Sequence, residues 1–163
     1  MQGAEKKRRT FTDLIQDGFA TEDDLVMLRN ILIDKDIAII GDKYTGLPLF
    51  IAIICDVYRD EMEKSPYVIY TTDYDYNYKL SQAKSKSFHR VIFQQVGRES
   101  DLDGIFEVQK YNPVIACIDP QMKLTKEDIE NFDYIIDMSF GTSAKVKGIH
   151  KSEDYCKRFK GAE

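Results

Sequence analysis

The feature that most constrains the fold of this chain is a repeated alternation between short apolar runs and longer helical patterns. Apolar runs predict six strands, at residues 37–40, 67–72, 90–96, 114–119, 134–140 and 145–149. Helical patterns lie between most of them, at 47–63, 100–111 and 125–132, and a further helix is predicted at about 152–160. Strands that alternate with helices are typical of an α/β fold with a mainly parallel sheet. The runs IAII and VIACI are apolar throughout, which fits strands covered on both faces.

The region before the first strand predicts helices. Thr10 opens a helical phrase that ends near Gly18, and Thr21 is placed to cap a second helix whose first turn is acidic. Leucine and isoleucine recur at helical spacing after Thr21, which indicates a buried stripe. We therefore predict a flexible basic arm at 1–9 and a single α/β domain at 10–163. Within it, 10–35 forms an N-terminal helical extension and 36–163 a three-layer sheet core.

Composition excludes several classes of protein. The net charge of −5 argues against a broad basic surface, so nucleic acid is not an expected partner. The apolar runs are too short to span a membrane. The basic start is not followed by an apolar run, so the sequence does not predict a secretory signal. The three cysteines lack metal-ligand spacing and predict reduced thiols. These observations indicate a cytoplasmic protein.

The turn after the first strand has the glycine spacing of a phosphate-binding loop. Such a loop, G-x-x-x-x-G-K-[ST], curls backbone N–H groups around phosphates, while its Lys neutralises phosphate oxygens and its hydroxyl binds Mg²⁺. The candidate nucleotide-binding residues are Gly41, Asp42, Lys43, Tyr44, Thr45, Gly46 and Leu47.

Two substitutions remove the chemistry of that loop. Leu47 stands in the position of the Lys, and Pro48 stands in the position of the metal-binding hydroxyl. The dipole of a helix N-terminus contributes only about 0.3–1 kcal/mol to an exposed charge, too little to replace both groups. Lys43 folding back over a phosphate is one alternative, and an ordinary strand-to-helix turn is another. A degenerate loop that has kept its shape is the interpretation we favour.

Residues 11–54 resemble the secretion traffic ATPases, the family that powers type II and type IV secretion, pilus assembly and conjugation. The resemblance rests on the phrase FTDLIQDGFATEDDLVMLRNILIDKDIAIIG, in which a "dLi..G" motif, a helix and a short strand precede the glycine loop. It implies a RecA-like P-loop NTPase fold. It also implies ATP or ADP with Mg²⁺ as cofactor, although the two substitutions argue against binding.

The later motifs of that family are mostly missing. Asp73 is the counterpart of the acidic box, with a polar turn as the alternative. Asp119 ends an apolar strand in the position of the Walker B motif, where Pro120 follows it, with a turn cap as the alternative. These two aspartates are the candidate metal ligands. The segment FGTSAKVKGIH resembles the histidine box only in the position of His150. No catalytic residue is assigned.

Three hypotheses remain at this point. The first is a non-catalytic P-loop-like protein that acts as a binding or assembly component, with a protein partner that is either a second copy or a secretion or motor assembly. The second is an active NTPase that uses Lys43. The third is a doubly wound regulatory or interaction domain without nucleotide. The cluster Tyr74, Tyr76 and Tyr78 would share one face if extended, and it favours a protein interface over base stacking on single-stranded nucleic acid, with a plain edge strand as the alternative.

Overall fold

The computed structural model describes residues 10–41, 47–85, 88–138 and 145–160, with no side chains described at 85 and 158–160. The helices are α1 (Phe11–Gln16), α2 (Glu22–Ile31), α3 (Leu47–Glu61), α4 (Tyr76–Ser85), α5 (Glu99–Gln109), α6 (Lys126–Glu130) and α7 (Ser152–Lys160). The strands are β1 (Ile37–Ile40), β2 (Tyr67–Tyr70), β3 (Val91–Val96), β4 (Val114–Ile118), β5 (Tyr134–Met138) and β6 (Val146–Lys151).

The six strands form one sheet in the order β2-β3-β4-β1-β5-β6. Strand β1 lies at its centre, where Ile37 pairs in parallel with Ile115 of β4 and with Tyr134 of β5. Strands β2 and β3 continue the parallel arrangement, whereas β6 runs antiparallel to β5. The prediction of an α/β fold with a mainly parallel sheet is therefore confirmed.

Alternate residues of the strands enter two separate hydrophobic clusters, one on each face of the sheet. In β1, Ile37 and Ile39 lie in the cluster that contains α1, α2 and α3, whereas Ala38 and Ile40 lie in the cluster that contains α4, α5, α6 and α7. This division follows from the two-residue period of a strand, which points successive side chains to opposite faces. Residues 10–35 thus share the core that α3 covers.

Threonine caps set the starts of three helices. Thr10, Thr21 and Thr125 each accept a hydrogen bond from the backbone N–H three residues later, and the aspartate there bonds back to the threonine N–H. The predicted cap at Thr21 is confirmed, and Thr125 caps the helix that the sequence predicts at 125–132, in both cases with aspartate in the place that glutamate usually fills. Helix α5 begins at Glu99, one residue before the predicted Ser100.

The tyrosine-rich stretch differs from the extended arrangement considered above. Residues 76–85 form helix α4, so Tyr76 and Tyr78 lie about 200° apart around a helix instead of on one face of a strand. Tyr76 is half-buried against the sheet, whereas Tyr74 and Tyr78 are exposed. Sequence reasoning missed this helix because its apolar residues are few and its aromatic residues favour strands.

A fully buried arginine lies at the amino ends of the central strands. Arg90, just before β3, donates from Nε to the Tyr58 hydroxyl (2.7 Å) and from Nη2 to the Leu32 carbonyl (2.8 Å). Its Nη1 donates to the carbonyls of Lys35 and Val114. The side chain therefore joins the end of α2, the helix α3 and the start of β4 at one point.

Candidate functional site

The carboxyl ends of β1 and β4 form the place in this sheet where a ligand is expected. After β1 the chain enters α3 on one face, and after β4 it continues to α6 on the other. Because neighbouring strands send their chains to opposite faces there, a crevice opens between the two connections. Such topological switch points are the usual ligand sites of open α/β sheets.

A cleft of about 690 Å³ lies at this point. Its volume is within the range of roughly 300–1,000 Å³ found for small-molecule sites. The cleft spans the carboxyl ends of four adjacent strands, from β2 at the sheet edge to β1 at the centre. The described residues that line it are Gly41, Leu47, Pro48, Tyr70, Thr72, Gln94, Gln95, Gly97, Cys117, Asp119, Pro120 and Gln121.

A β-bulge shapes the middle of the cleft. Between the pairs Phe93↔Ala116 and Val96↔Ile118, strand β3 has one residue more than β4. Gln95, within the bulge, has a φ of 63°, a left-handed conformation that is uncommon for residues other than glycine. Bulges and strained residues of this kind concentrate beside binding sites, where they redirect side chains. The bulge thus presents both Gln94 and Gln95 to the cleft.

Hydrogen bonds with β2 fix this polar wall. The Thr71 hydroxyl donates to the Gln95 carbonyl, and the Thr72 hydroxyl donates to the Gln95 side-chain oxygen. The Gln94 amide donates to the Tyr70 hydroxyl at 3.3 Å. These contacts hold the two glutamine amides over the ends of β2 and β3, where each keeps further hydrogen-bonding capacity.

Asp119 is the one charged side chain among the described residues of the cleft lining. It is exposed, and its Oδ1 accepts a hydrogen bond from the Gln121 backbone N–H (2.9 Å). Its own N–H donates to the Val96 carbonyl (2.8 Å), which places it beside the bulged strand. The carboxylate thus closes a local turn, and its second oxygen has capacity for further hydrogen bonds.

The structure places the two ends of the predicted loop in the cleft. Gly41 follows β1 and is buried, and an added Cβ would lie 3.1 Å from Met138 Sδ. The close Met138 side chain on β5 therefore favours glycine at this position. Leu47 and Pro48 begin α3 and form the adjacent wall. Asp42, Lys43, Tyr44, Thr45 and Gly46 lie outside the described residues.

Asp73, the other candidate metal ligand, lies outside this cleft. It lines an adjoining depression of about 560 Å³ with Thr71, Gly97 and Arg98, and its carboxylate pairs with Lys79 Nζ at 2.9 Å. Across the part of the chain that the structure describes, no three His, Cys, Asp or Glu side chains are grouped to hold a metal ion. The two aspartates thus line different cavities, and their role as metal ligands stays a prediction.

Ionisable groups in and beside the cleft are shifted by burial. Cys117 belongs to β4 and lines the cleft, and burial raises the pKa of its thiol. Burial also raises the pKa of Tyr76 to about 12, with the nearby Asp101 carboxylate adding to the shift. Neither group is therefore ionised near neutral pH, and the charge of the described cleft wall comes from Asp119.

Sequence reasoning missed the glutamine wall of the cleft. Gln94, Gln95 and Gln121 were not predicted, because neutral amides belong to neither the loop pattern after β1 nor the acidic residues typical of metal sites. One signal was present: the run VIFQQVG places two adjacent amides before a glycine at the end of an apolar strand. The bulge that turns both amides towards one cavity has no comparable signature in the sequence.

None of the helices formed by the described residues has the length and apolar character needed to cross a bilayer. No protein-family model matches the chain, and no curated protein matches it either.

Proposed function

We propose that this chain is a non-catalytic P-loop-like protein, related to the secretion and conjugation ATPases, that acts as a binding or assembly component through the cleft above β1 and β4. The observation that carries the proposal is the wall that Leu47 and Pro48 form beside Gly41 at the topological switch point. Open α/β sheets bind nucleotides at such switch points, and here an apolar wall stands where the loop pattern carries a Lys and a hydroxyl, which supports binding without triphosphate.

The electrostatics of the described wall support binding without triphosphate. Phosphate oxygens require cations or clustered N–H donors. Asp119 contributes a negative charge instead, and the other polar side chains of the described lining are neutral. Leu47, the first residue of α3, is buried in the core cluster that this helix covers, so this position contributes to packing as well as to the cleft wall.

A nucleotide titration tests the proposal. The protein is heated with ATP, ADP or GTP, with and without Mg²⁺, and the unfolding temperature is measured. A ligand at 100 times its Kd stabilises by about 2.7 kcal/mol, and for a chain of this size each kcal/mol shifts Tm by about 2–4 °C. We expect no shift. Mg²⁺-dependent ATP turnover that Asp119→Ala abolishes would refute the proposal.

A gain-of-charge variant tests the relationship to P-loop proteins. Combining Leu47→Lys with Pro48→Thr restores the Lys and the hydroxyl of the loop pattern. We expect this variant, once its fold is verified by circular dichroism, to acquire Mg²⁺-dependent stabilisation by ATP. The matched control, Leu47→Met with Pro48→Ala, carries neither group and should acquire none. A double variant that folds but ignores ATP would favour an ordinary strand-to-helix turn.

A further inference from the structure

The cleft is elongated across the sheet. It reaches from Tyr70 and Thr72 at the end of β2, past β3 and β4, to Gly41 at the end of β1. Neighbouring strands lie about 4.8 Å apart, so four strands span about 14 Å. An extended chain advances about 3.3 Å per residue, and about four residues fit this length. Strand β2 is the edge of the sheet, so a longer chain can continue beyond the cleft.

The polar groups along this length match those of a peptide backbone. Tyr70, Thr72, Gln94, Gln95 and Gln121 are neutral, and each side chain can both donate and accept hydrogen bonds. A peptide presents one N–H and one C=O per residue, so it can use both capacities. Leu47 and Pro48 at the inner end supply an apolar surface for a side chain.

The charge of the cleft selects among peptides. Asp119 is exposed and uses Oδ1 to accept the Gln121 N–H, while a carboxylate has capacity for further bonds through its second oxygen. The described lining has no Lys or Arg to neutralise it. The net charge of −5 also attracts positively charged peptides over longer distances. A Lys or Arg side chain is the complementary partner.

We propose that the cleft binds an extended segment of a partner protein, with the backbone bonded to the glutamine wall and a Lys or Arg side chain paired with Asp119. The inference rests on the proposed function, because it names the ligand of the same non-catalytic cleft. The strained bulge at Gln95 supports it independently, since it directs a second amide into the cleft.

A peptide titration followed by NMR tests this assignment. The probes are the blocked pentapeptides acetyl-Ala-Ser-Lys-Ser-Ala-amide and its analogues with norleucine or glutamate at the centre. The readout is the side-chain amide signals of Gln94, Gln95 and Gln121, together with the backbone signal of Gly97. We expect the lysine peptide to shift these signals at concentrations up to about 5 mM, the range of a Kd near 1 mM, and the glutamate peptide to shift them least.

Variants separate the charge from the amide wall. Asp119→Asn keeps the acceptor for the Gln121 N–H and should weaken binding of the lysine peptide by about two- to fivefold, the effect of losing one exposed ion pair. It should leave the norleucine peptide unaffected. Asp103→Asn makes the same charge change at an exposed position on α5 outside the cleft lining and should alter neither. Gln121→Ala should weaken binding of both peptides equally.

The outcomes distinguish this inference from the proposed function. If the lysine peptide causes no shifts, or if the glutamate peptide binds equally well, the peptide assignment is overturned. The proposed function still stands in that case, provided that the nucleotide titration shows no change in Tm. The same signals shifting with adenosine, or moving with protein concentration alone, would assign the cleft to a nucleoside or to a second copy and also overturn it. Mg²⁺-nucleotide binding would overturn the proposed function itself.

Discussion

Replacing Arg90 by methionine should destabilise the fold more than any surface change of the same kind. Arg90 is fully buried, and its guanidinium donates to the Tyr58 hydroxyl and to the carbonyls of Leu32, Lys35 and Val114. The guanidinium carbon Cζ of Arg90 lies 5.6 Å from the centre of the Tyr58 ring. Methionine keeps the aliphatic stem and removes every donor.

The magnitude follows from the balance of two opposing effects. Hydrogen bonds from a charged donor contribute about 1.5–3 kcal/mol each, whereas burying the guanidinium costs several kcal/mol. Leu32 keeps one partner in the variant, because the Tyr58 hydroxyl also donates to its carbonyl (2.5 Å). The Lys35 carbonyl and the Tyr58 oxygen lose the bonds from Arg90. We therefore expect a loss of about 2–4 kcal/mol, a large part of the 5–15 kcal/mol typical of a domain.

Urea unfolding followed by circular dichroism measures this loss. Arg59→Met is the matched control, because Arg59 is exposed on α3 and pairs with the surface carboxylates of Asp56 and Asp60, so the variant should change stability by less than about 1 kcal/mol. Tyr58→Phe removes the shared hydroxyl, and a double-mutant cycle with Arg90→Met should reveal a coupling of about 0.5–3 kcal/mol.

An Arg90→Met protein within about 1 kcal/mol of the wild type, at unchanged m-value, would refute the argument that these bonds outweigh the cost of burial. A variant more stable than the wild type would show that desolvation of the guanidinium dominates.

Three further predictions concern single groups. Burial raises the pKa of Asp36 from 3.8 to about 6, so between these pH values the folded protein keeps the proton and the unfolded chain loses it. The contribution of this carboxyl to the free energy of unfolding therefore falls as pH rises from about 4 to 6. The stability difference between wild type and Asp36→Asn, measured in urea at several pH values, should fall across that window, and a constant difference would contradict the prediction. Gln95→Gly should leave stability unchanged or raise it by up to about 1 kcal/mol, since glycine adopts the φ of 63° without strain, and a clear loss in thermal unfolding would show that the side-chain bond to Thr72 matters more. Iodoacetamide at pH 8 should modify partly exposed Cys55 before buried Cys117, whose thiol pKa burial raises, and mass spectrometry that finds Cys117 labelled first in folded protein would disprove this order.

Much of the fold could be predicted because its signals are local. The apolar run at β1 and the threonine caps at Thr21 and Thr125 act over a few residues, and the structure has them where the sequence predicts. Boundaries shifted by one to a few residues, as for β2, which ends at Tyr70 instead of residue 72. Helix α4 was missed because its burial against α5 and the sheet, which the sequence does not reveal, outweighs its own weak pattern.

The candidate site was only partly predictable for the same reason. Leu47 and Pro48 could be identified as departures from a loop pattern because that pattern is continuous in sequence. Asp73 and Asp119 looked equivalent, each following an apolar strand, but Asp119 lines the cleft, whereas Asp73 lines the adjoining depression and pairs with Lys79. Only the sheet order determined which strand ends meet.

The sequence by itself determined the class of fold and the starts of several helices, and it showed that Leu47 and Pro48 stand where a phosphate-binding loop carries a Lys and a hydroxyl, since each of these features depends on neighbouring residues. The tertiary structure alone decided that β1 lies between β4 and β5, that β6 runs antiparallel, and that Gln94, Gln95 and Asp119 share one cleft. These features arise from pairing between distant segments, and a bulge of one residue in β3 is enough to redirect a side chain.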